Sequence, residues 1–219
     1  MSTSFHASQR EFLKRLVAYT VKVEPSTQDG CGAGFVISLD GYILTAKHVM
    51  GDAKSAVIRF LRLNTGDWTI ETGGPKTATL VAADSELDIA LLRLDRIPPR
   101  LTAVALGTSS EVRPGTPLWR VGIDDIPLSN GYCFHIQRKI FDRDDVLIGM
   151  EAGPGSSGGP IFNETGHVVG VALMYQPDEK RPPYSVALPI DKVIKRFLEK
   201  YALQEQLTTG KTINLFSSS

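Results

Sequence analysis

The chain has 219 residues, with 24 basic and 24 acidic side chains and a formal net charge of zero. Such a chain lacks the bulk positive charge that attracts nucleic acid or an anionic membrane surface, so neither partner is expected. Its 42% hydrophobic content and mean hydropathy of -0.05 supply the core of one domain, or of two small lobes that share a site.

The first twenty residues combine apolar and charged positions. Phe12, Leu13, Leu16 and Val17 recur at helical spacing, which predicts a short helix over residues 6–18. Charged side chains interrupt the apolar runs here, so the segment lacks the apolar centre of a secretory signal. No run in the chain reaches the length of a transmembrane helix. We therefore expect a cytoplasmic protein, or a periplasmic one whose leader has been removed.

Short apolar runs separated by turn signals follow, a pattern typical of an all-β barrel or sandwich. Residues 95–117 carry four prolines and are predicted to cross between two lobes. A helical stripe predicts a C-terminal helix over residues 190–203, beginning after Pro189. The tail, residues 204–219, is polar and aperiodic. It is either a disordered end or the start of a linker to a further module.

The two cysteines, Cys31 and Cys133, have neither metal-ligand nor Cys-x-x-Cys spacing. This excludes zinc-finger and thioredoxin-like interpretations. We expect two unbridged thiols, although a disulfide between them stays open. No metal or cofactor is implied.

The most informative segment is Gly-Ser-Ser-Gly-Gly-Pro at residues 155–160, which lies between two apolar runs. Glycines let a backbone approach a substrate closely, and N–H groups around a serine can point at one spot. Ser157 is therefore a candidate nucleophile, and the N–H groups of Gly155 and Ser157 are a candidate oxyanion hole. The alternative is an ordinary glycine-rich hairpin turn.

A serine nucleophile needs a base and a group that orients the base. His48 ends an apolar strand, and Asp88 begins another. The chain order His, Asp, Ser is that of the chymotrypsin class. Alternatively, His48 is a structural strand-end histidine and Asp88 caps a turn. Asp84 is a weaker candidate for the role of Asp88.

These segments resemble the chymotrypsin-fold serine proteases, and most closely the bacterial HtrA/Deg-type domains. The resemblance implies two antiparallel six-stranded β-barrels with short N- and C-terminal helices. The lobes would cover residues 19–95 and 118–190, and the activity would be peptide-bond hydrolysis through an acyl-enzyme. The substrate would be a protein or peptide. The matching segments are residues 32–37, 41–49, 88–94, 154–162, 166–171 and 184–190.

Ser156 departs from the trypsin-type zymogens, which have an aspartate just before the nucleophile. Activation through that aspartate is therefore not expected. HtrA-type domains also lack it and switch by ordering of loops. By resemblance, the candidate loops here are residues 149–154 and 175–183.

The resemblance also locates the S1 pocket, which holds the side chain before the scissile bond. It implies a base formed by Glu151 and Ala152 and a wall formed by Leu173, Met174 and Tyr175. Glu151 would favour a basic substrate residue. Alternatively, Glu151 points to solvent and Tyr175 narrows the pocket.

Two other functions stay open. One is a latent or non-cleaving peptide-binding module with the same fold. The other is a complete HtrA-type chaperone-protease, whose PDZ domain would have to lie outside these residues, because too few follow Tyr201.

Overall fold

The computed structural model describes residues 2–27, 30–64, 69–123, 128–140, 143–149, 155–176, 184–202 and 215. Thirteen β-strands and a few short helices make up this part of the chain, as the sequence predicts. Every pairing between the named strands is antiparallel. The strands divide into two groups that follow each other along the chain.

The first group is a sheet of seven strands, six of which close into a ring. The sheet runs β1-β2-β3-β7-β6-β4-β5, and β1 also pairs with β4. The far end of β4 pairs with β5 as a hairpin outside the ring. The strands are β1 (Thr20–Pro25), β2 (Gly32–Val36), β3 (Tyr42–Ala46), β4 (Ser55–Asn64), β5 (Thr69–Thr72), β6 (Lys76–Asp84) and β7 (Ile89–Leu94).

The second group is a closed barrel of six strands in the order β10-β13-β12-β11-β8-β9. The predicted fold, two antiparallel six-stranded barrels, is thus confirmed, with β5 as an addition to the first barrel. The strands are β8 (Pro117–Val121), β9 (Leu128–Ile140), β10 (Arg143–Gly149), β11 (Pro160–Phe162), β12 (Val168–Gln176) and β13 (Tyr184–Pro189).

A continuous hydrophobic core joins the two barrels. Every residue of β2 and of β3 is buried, so both faces of these strands are covered. Phe35 of β2 and Leu44 of β3 belong to the same cluster as Phe162 and Leu173 of the second barrel. This burial explains why the strands read as continuous apolar runs rather than as alternating ones. The strands that lead to His48 are consequently held rigidly at the interface.

Helix α1 (Ser2–Tyr19) begins earlier than the predicted helix and packs across both barrels. Leu16 and Val17 are fully buried, and the Phe12 ring meets the Trp119 ring of β8 edge-on at 5.4 Å between centroids. The remaining helices are α2 (Lys47–Met50), a single turn at Ser109–Glu111, and α3 (Ile190–Val193), which continues through a wider turn at Ile194–Leu198. No helix in the described part of the chain is long and apolar enough to cross a membrane.

Two observations bear on the tail and the cysteines. Leu215, which belongs to the predicted tail, is fully buried within the main core. Burial of its apolar side chain stabilises that position. Cys31 is exposed, Cys133 is buried, and no disulfide joins them.

The Glu24 side chain connects β1 to β4 through an ion pair with Arg59, and the strength of this contact depends on pH. Its carboxylate lies 2.7 Å from Lys22 Nζ and 2.9 Å from Arg59 Nε. The Lys22 hydrogen bond, and then that of Arg59, lower the pKa of Glu24 below its ordinary value against the opposing effect of burial. A depressed carboxyl pKa stabilises the fold above the unfolded-state pKa, and this stabilisation is lost as the pH falls through the folded-state value.

We expect Glu24→Gln to lower the free energy of unfolding by about 0.5–1 kcal/mol at neutral pH, the size of a partly exposed ion pair. The difference between variant and wild type should disappear as the pH falls through the folded-state pKa of Glu24, because the glutamate is then protonated in both states. Urea unfolding over a series of pH values measures it. A difference that stays constant with pH would contradict the ion-pair explanation.

Candidate active site

His48 lies where β3 ends and α2 begins. Ala46 is still extended, with φ −77° and ψ 144°, so the chain turns sharply into the single helical turn that carries the histidine. The Thr45 hydroxyl donates to the Ala33 carbonyl at 2.8 Å and ties the end of β3 to β2. This bond is fully buried and fixes the backbone immediately before His48.

Asp88 contacts His48 from the start of β7 through two hydrogen bonds. The His48 backbone N–H donates to Asp88 Oδ1 at 2.9 Å, and His48 Nδ1 lies 2.6 Å from Asp88 Oδ2. The Asp88 carbonyl also accepts the Lys47 N–H at 3.0 Å. An ionised carboxylate only accepts, so Nδ1 is the donor, and in a neutral imidazole the lone pair is then on Nε2. The side chain of His48 is 46% exposed and that of Asp88 24%.

The serine loop folds tightly because two of its glycines have positive φ. Gly155 has φ +103° and Gly158 has φ +82°, values that glycine adopts without steric cost. The Gly158 N–H donates to the Ala172 carbonyl, and the Ala172 N–H donates to the Gly159 carbonyl at 2.8 Å. The loop is therefore anchored to β12 on both sides of Gly158.

The loop also docks onto the first barrel, next to the histidine. The Ala33 N–H donates to the Ser157 carbonyl at 2.8 Å. A Cβ added to Gly158 would lie 2.4 Å from the Ala33 carbonyl oxygen and 2.6 Å from the Ala46 nitrogen. The serine loop thus packs directly on the strands that end at His48, and the structure brings Ser157, His48 and Asp88 to one region of the interface.

The Ser157 hydroxyl donates to the Leu173 carbonyl at 3.1 Å. Among the described residues it makes no hydrogen bond to His48. A nucleophile transfers its proton to its base, so the hydroxyl must turn away from Leu173 before His48 can accept that proton. The sequence contains no signal for this contact, because any residue type at position 173 supplies a carbonyl.

The candidate oxyanion donors are the backbone N–H groups of Gly155 and Ser157. Within the described part of the chain, these two groups donate to no backbone carbonyl, whereas those of Gly158 and Gly159 do. Backbone donors can stabilise a developing negative charge when they point at it. Ser156, between them, is buried, with 4% of its surface exposed.

Of the candidate pocket residues, Glu151 and Ala152 lie outside the described residues. Leu173 is buried and belongs to the main core, and its carbonyl contacts the serine loop through the Ser157 hydroxyl. Met174 and Tyr175 follow it on β12, paired with Val186 and Ser185 of β13. The loops proposed to order on activation, residues 149–154 and 175–183, also fall almost wholly outside the described part.

The described residues contain no group of three or more His, Cys, Asp or Glu side chains that could hold a metal ion.

We expect Gly158→Ala to lower the free energy of unfolding by at least about 2 kcal/mol, because an added methyl group meets backbone atoms and φ is positive. Gly74→Ala is the matched control, since nothing lies within 4 Å of the added Cβ there. Thermal unfolding of both variants measures the effect. Equal destabilisation by the two would contradict the tight docking of the loop.

Comparison with known proteins agrees with this geometry. The family described as "Trypsin-like peptidase domain" matches residues 32–171, which run from the strand before His48 past Ser157. The "Probable periplasmic serine endoprotease DegP-like" of Pseudomonas fluorescens is 32% identical over 196 residues, covering 84% of this chain and 36% of that protein. The "Putative protease Do-like 14" of Arabidopsis thaliana is 34% identical over 175 residues, covering 75% of this chain and 39% of that protein.

This chain spans little more than a third of the length of these relatives. The family match nevertheless runs from β2 into β12 and includes all three candidate side chains, and the comparisons confirm the resemblance to HtrA/Deg-type domains. The chain belongs to the family of trypsin-like peptidase domains.

Proposed function

We propose that the protein is a serine endopeptidase in which Ser157 is the nucleophile, His48 the general base and Asp88 the group that orients the base. The observation that carries the proposal is the double hydrogen bond from His48 to Asp88 beside the docked serine loop. A histidine that only ends a strand does not require a carboxylate that accepts hydrogen bonds from both its backbone N–H and its ring nitrogen. The names of the relatives, serine endoprotease and protease, support the same activity.

In the proposed reaction, Ser157 Oγ attacks the carbonyl carbon of the scissile bond while His48 Nε2 takes the hydroxyl proton. Asp88 stabilises the resulting imidazolium. The N–H groups of Gly155 and Ser157 stabilise the oxyanion, each by about 2.7–4 kcal/mol at the transition state. The C–N bond then breaks, and Nε2 returns the proton to the leaving amine. Water, activated by His48, releases the acyl group and restores the Ser157 hydroxyl.

A second candidate is a latent form of the same site. The hydrogen bond from Ser157 to the Leu173 carbonyl favours it, because in that position the hydroxyl does not face its base. Single-bond rotation of a hydroxyl-bearing side chain is fast and inexpensive compared with loop rearrangement. The position of the Ser157 hydroxyl by itself therefore favours a resting enzyme that substrate binding can activate. A permanently latent protein would require a disordered oxyanion loop as well.

The proposed substrates are proteins or peptides. The relatives are about three times as long as the matched region, which is consistent with further modules outside this chain. Their bacterial members are named periplasmic, and this favours the periplasmic alternative over the cytoplasmic expectation. Fractionation of the producing cell, with the protein detected by antibody, decides the compartment.

A peptide-library digest read by mass spectrometry tests both activity and specificity. If Glu151 lines the S1 pocket, wild type should prefer Arg or Lys before the scissile bond, since a charge-assisted hydrogen bond in a dry pocket is stronger than a neutral one. Glu151→Gln should then lose cleavage after basic residues and retain cleavage after small apolar ones.

The competing arrangement, with Glu151 in solvent and Tyr175 closing a shallow pocket, predicts cleavage after Ala or Val and no effect of Glu151→Gln. Tyr175→Gly should then extend cleavage to longer side chains. A parallel digest of the peptide library with the Ser157→Ala variant identifies cleavages made by a contaminating protease. Absence of any cleavage that depends on Ser157 would contradict the proposed activity.

A further inference from the structure

The turn that presents Asp88 to His48 has an unusual backbone. Asp84 and Ile89 are paired across β6 and β7, so residues 85–88 reverse the chain between them. Asp88 has φ +59°, which makes it the one residue other than glycine with positive φ in the described part of the chain. That conformation costs an L-residue about 1–2 kcal/mol, and it persists where the surroundings hold it. The contacts that hold the turn therefore determine where Asp88 lies.

Asp84 supplies that stabilisation from within the turn. Its Oδ1 accepts the N–H groups of both Glu86 and Leu87, each at 2.9 Å. The Leu87 side chain is buried in the core, with 1% of its surface exposed. One carboxylate oxygen thus fixes two consecutive peptide groups immediately before Asp88.

A further side-chain contact to the turn, between Arg196 and Glu86, is weaker. Arg196, on the C-terminal helix, donates to Glu86 Oε2 at 3.2 Å, and these side chains are 57% and 83% exposed. Exposed ion pairs of this kind contribute little to stability. The Arg196–Glu86 pair therefore provides a control, because Glu86 lies in the same turn and its side chain does not fix the turn backbone.

We propose that Asp84 is a positioning residue for the His48–Asp88 pair. Both hydrogen bonds that Asp88 accepts from His48 depend on where the backbone places the carboxylate. A turn that relaxes at residues 86 and 87 shifts Asp88 and loosens both bonds together. Asp84 acts through its oxygen as a hydrogen-bond acceptor and not through its charge. The inference rests on the proposed function, in which Asp88 orients the base.

An asparagine at position 84 keeps a carbonyl oxygen that can accept the same two N–H groups, whereas an alanine does not. We therefore compare Asp84→Ala, Asp84→Asn and Glu86→Gln with wild type in the intact chain. Peptide hydrolysis gives kcat and KM separately. The deshielded proton NMR signal of the His48 Nδ1–H, bonded to Asp88, reports the pair in the resting protein. Thermal unfolding reports the folded fraction of each variant.

We expect Asp84→Ala to lower kcat by about 10- to 100-fold with little change in KM, since sub-ångström misplacement of a catalytic group has effects of this size. Its NMR signal should weaken or move toward the position of a free imidazole. Asp84→Asn should restore most of kcat and the signal, and Glu86→Gln should match wild type in both. A structural role alone would lower Tm and leave the signal and the kcat of the folded fraction unchanged.

The inference is overturned if Asp84→Ala retains the signal and the kcat of wild type, or if Asp84→Asn fails as badly as Asp84→Ala. It is also overturned if Glu86→Gln loses as much as Asp84→Ala. Failure of the proposed function is a separate result. A wild-type protein without hydrolysis contradicts the endopeptidase, while the NMR signal of the variants still decides whether Asp84 positions the pair.

Discussion

Ser157→Ala should reduce peptide hydrolysis to the background of the assay, a loss of about 10⁶ in kcat for an intact Ser-His-Asp enzyme. The reason is that alanine has no oxygen to attack the carbonyl, while the docked loop keeps its backbone bonds to Ala33 and Ala172. A fluorogenic peptide selected from the library digest measures the rate, and thermal unfolding should show a fold as stable as wild type.

Ser156→Ala is the matched control, since it removes the neighbouring hydroxyl from the same loop. It should retain hydrolysis within about tenfold, because its hydroxyl is buried away from substrate. If Ser156→Ala abolished hydrolysis and Ser157→Ala preserved it, the nucleophile would be Ser156.

Asp88→Asn should lower kcat by about 10⁴ with a much smaller change in KM. The amide can donate to Nδ1, which would force the proton onto Nε2 and leave the base without a lone pair toward the serine. The 2.6 Å contact between Nδ1 and Oδ2 is the bond that fixes the tautomer in wild type. Steady-state kinetics on the same fluorogenic peptide separate the two constants.

Asp84→Asn is the comparison for this prediction, because Asp84 is the other carboxylate near the start of β7 and contacts backbone N–H groups instead of the imidazole. A larger loss from Asp84→Asn than from Asp88→Asn would transfer the orienting role to Asp84. Equal losses would mean that neither carboxylate orients His48 by itself.

The sequence predicted those features that depend on residue type. Apolar runs and turn residues indicated the strands, and the glycines around Ser157 indicated a tight loop whose backbone can approach a substrate. The structure gives Gly158 a different need for glycine, since a side chain there would collide with β2 and β3. His48 and Asp88 could be paired from their order and spacing because each begins or ends a strand at the same barrel edge.

Other features depend on backbone groups and on long-range packing, which residue types do not encode locally. The Leu173 carbonyl that accepts the Ser157 hydroxyl is one example, and closure of the first barrel by β1 and β4 is another. Leu215 is a third, because the few apolar residues of the polar tail have no periodicity to reveal that this one is buried. Asp84 was ranked as a rival of Asp88, whereas its contacts are those of a turn-stabilising residue.

The central claim, that Ser157 is activated by the His48–Asp88 pair, is tested most directly by a fluorophosphonate probe and intact-mass measurement. Wild type should gain the mass of one adduct, and peptide mapping should place it on Ser157. Ser156→Ala should label like wild type, and Asp88→Asn far more slowly. A wild-type protein that is folded yet gains no adduct, or gains it at another residue, would contradict the account.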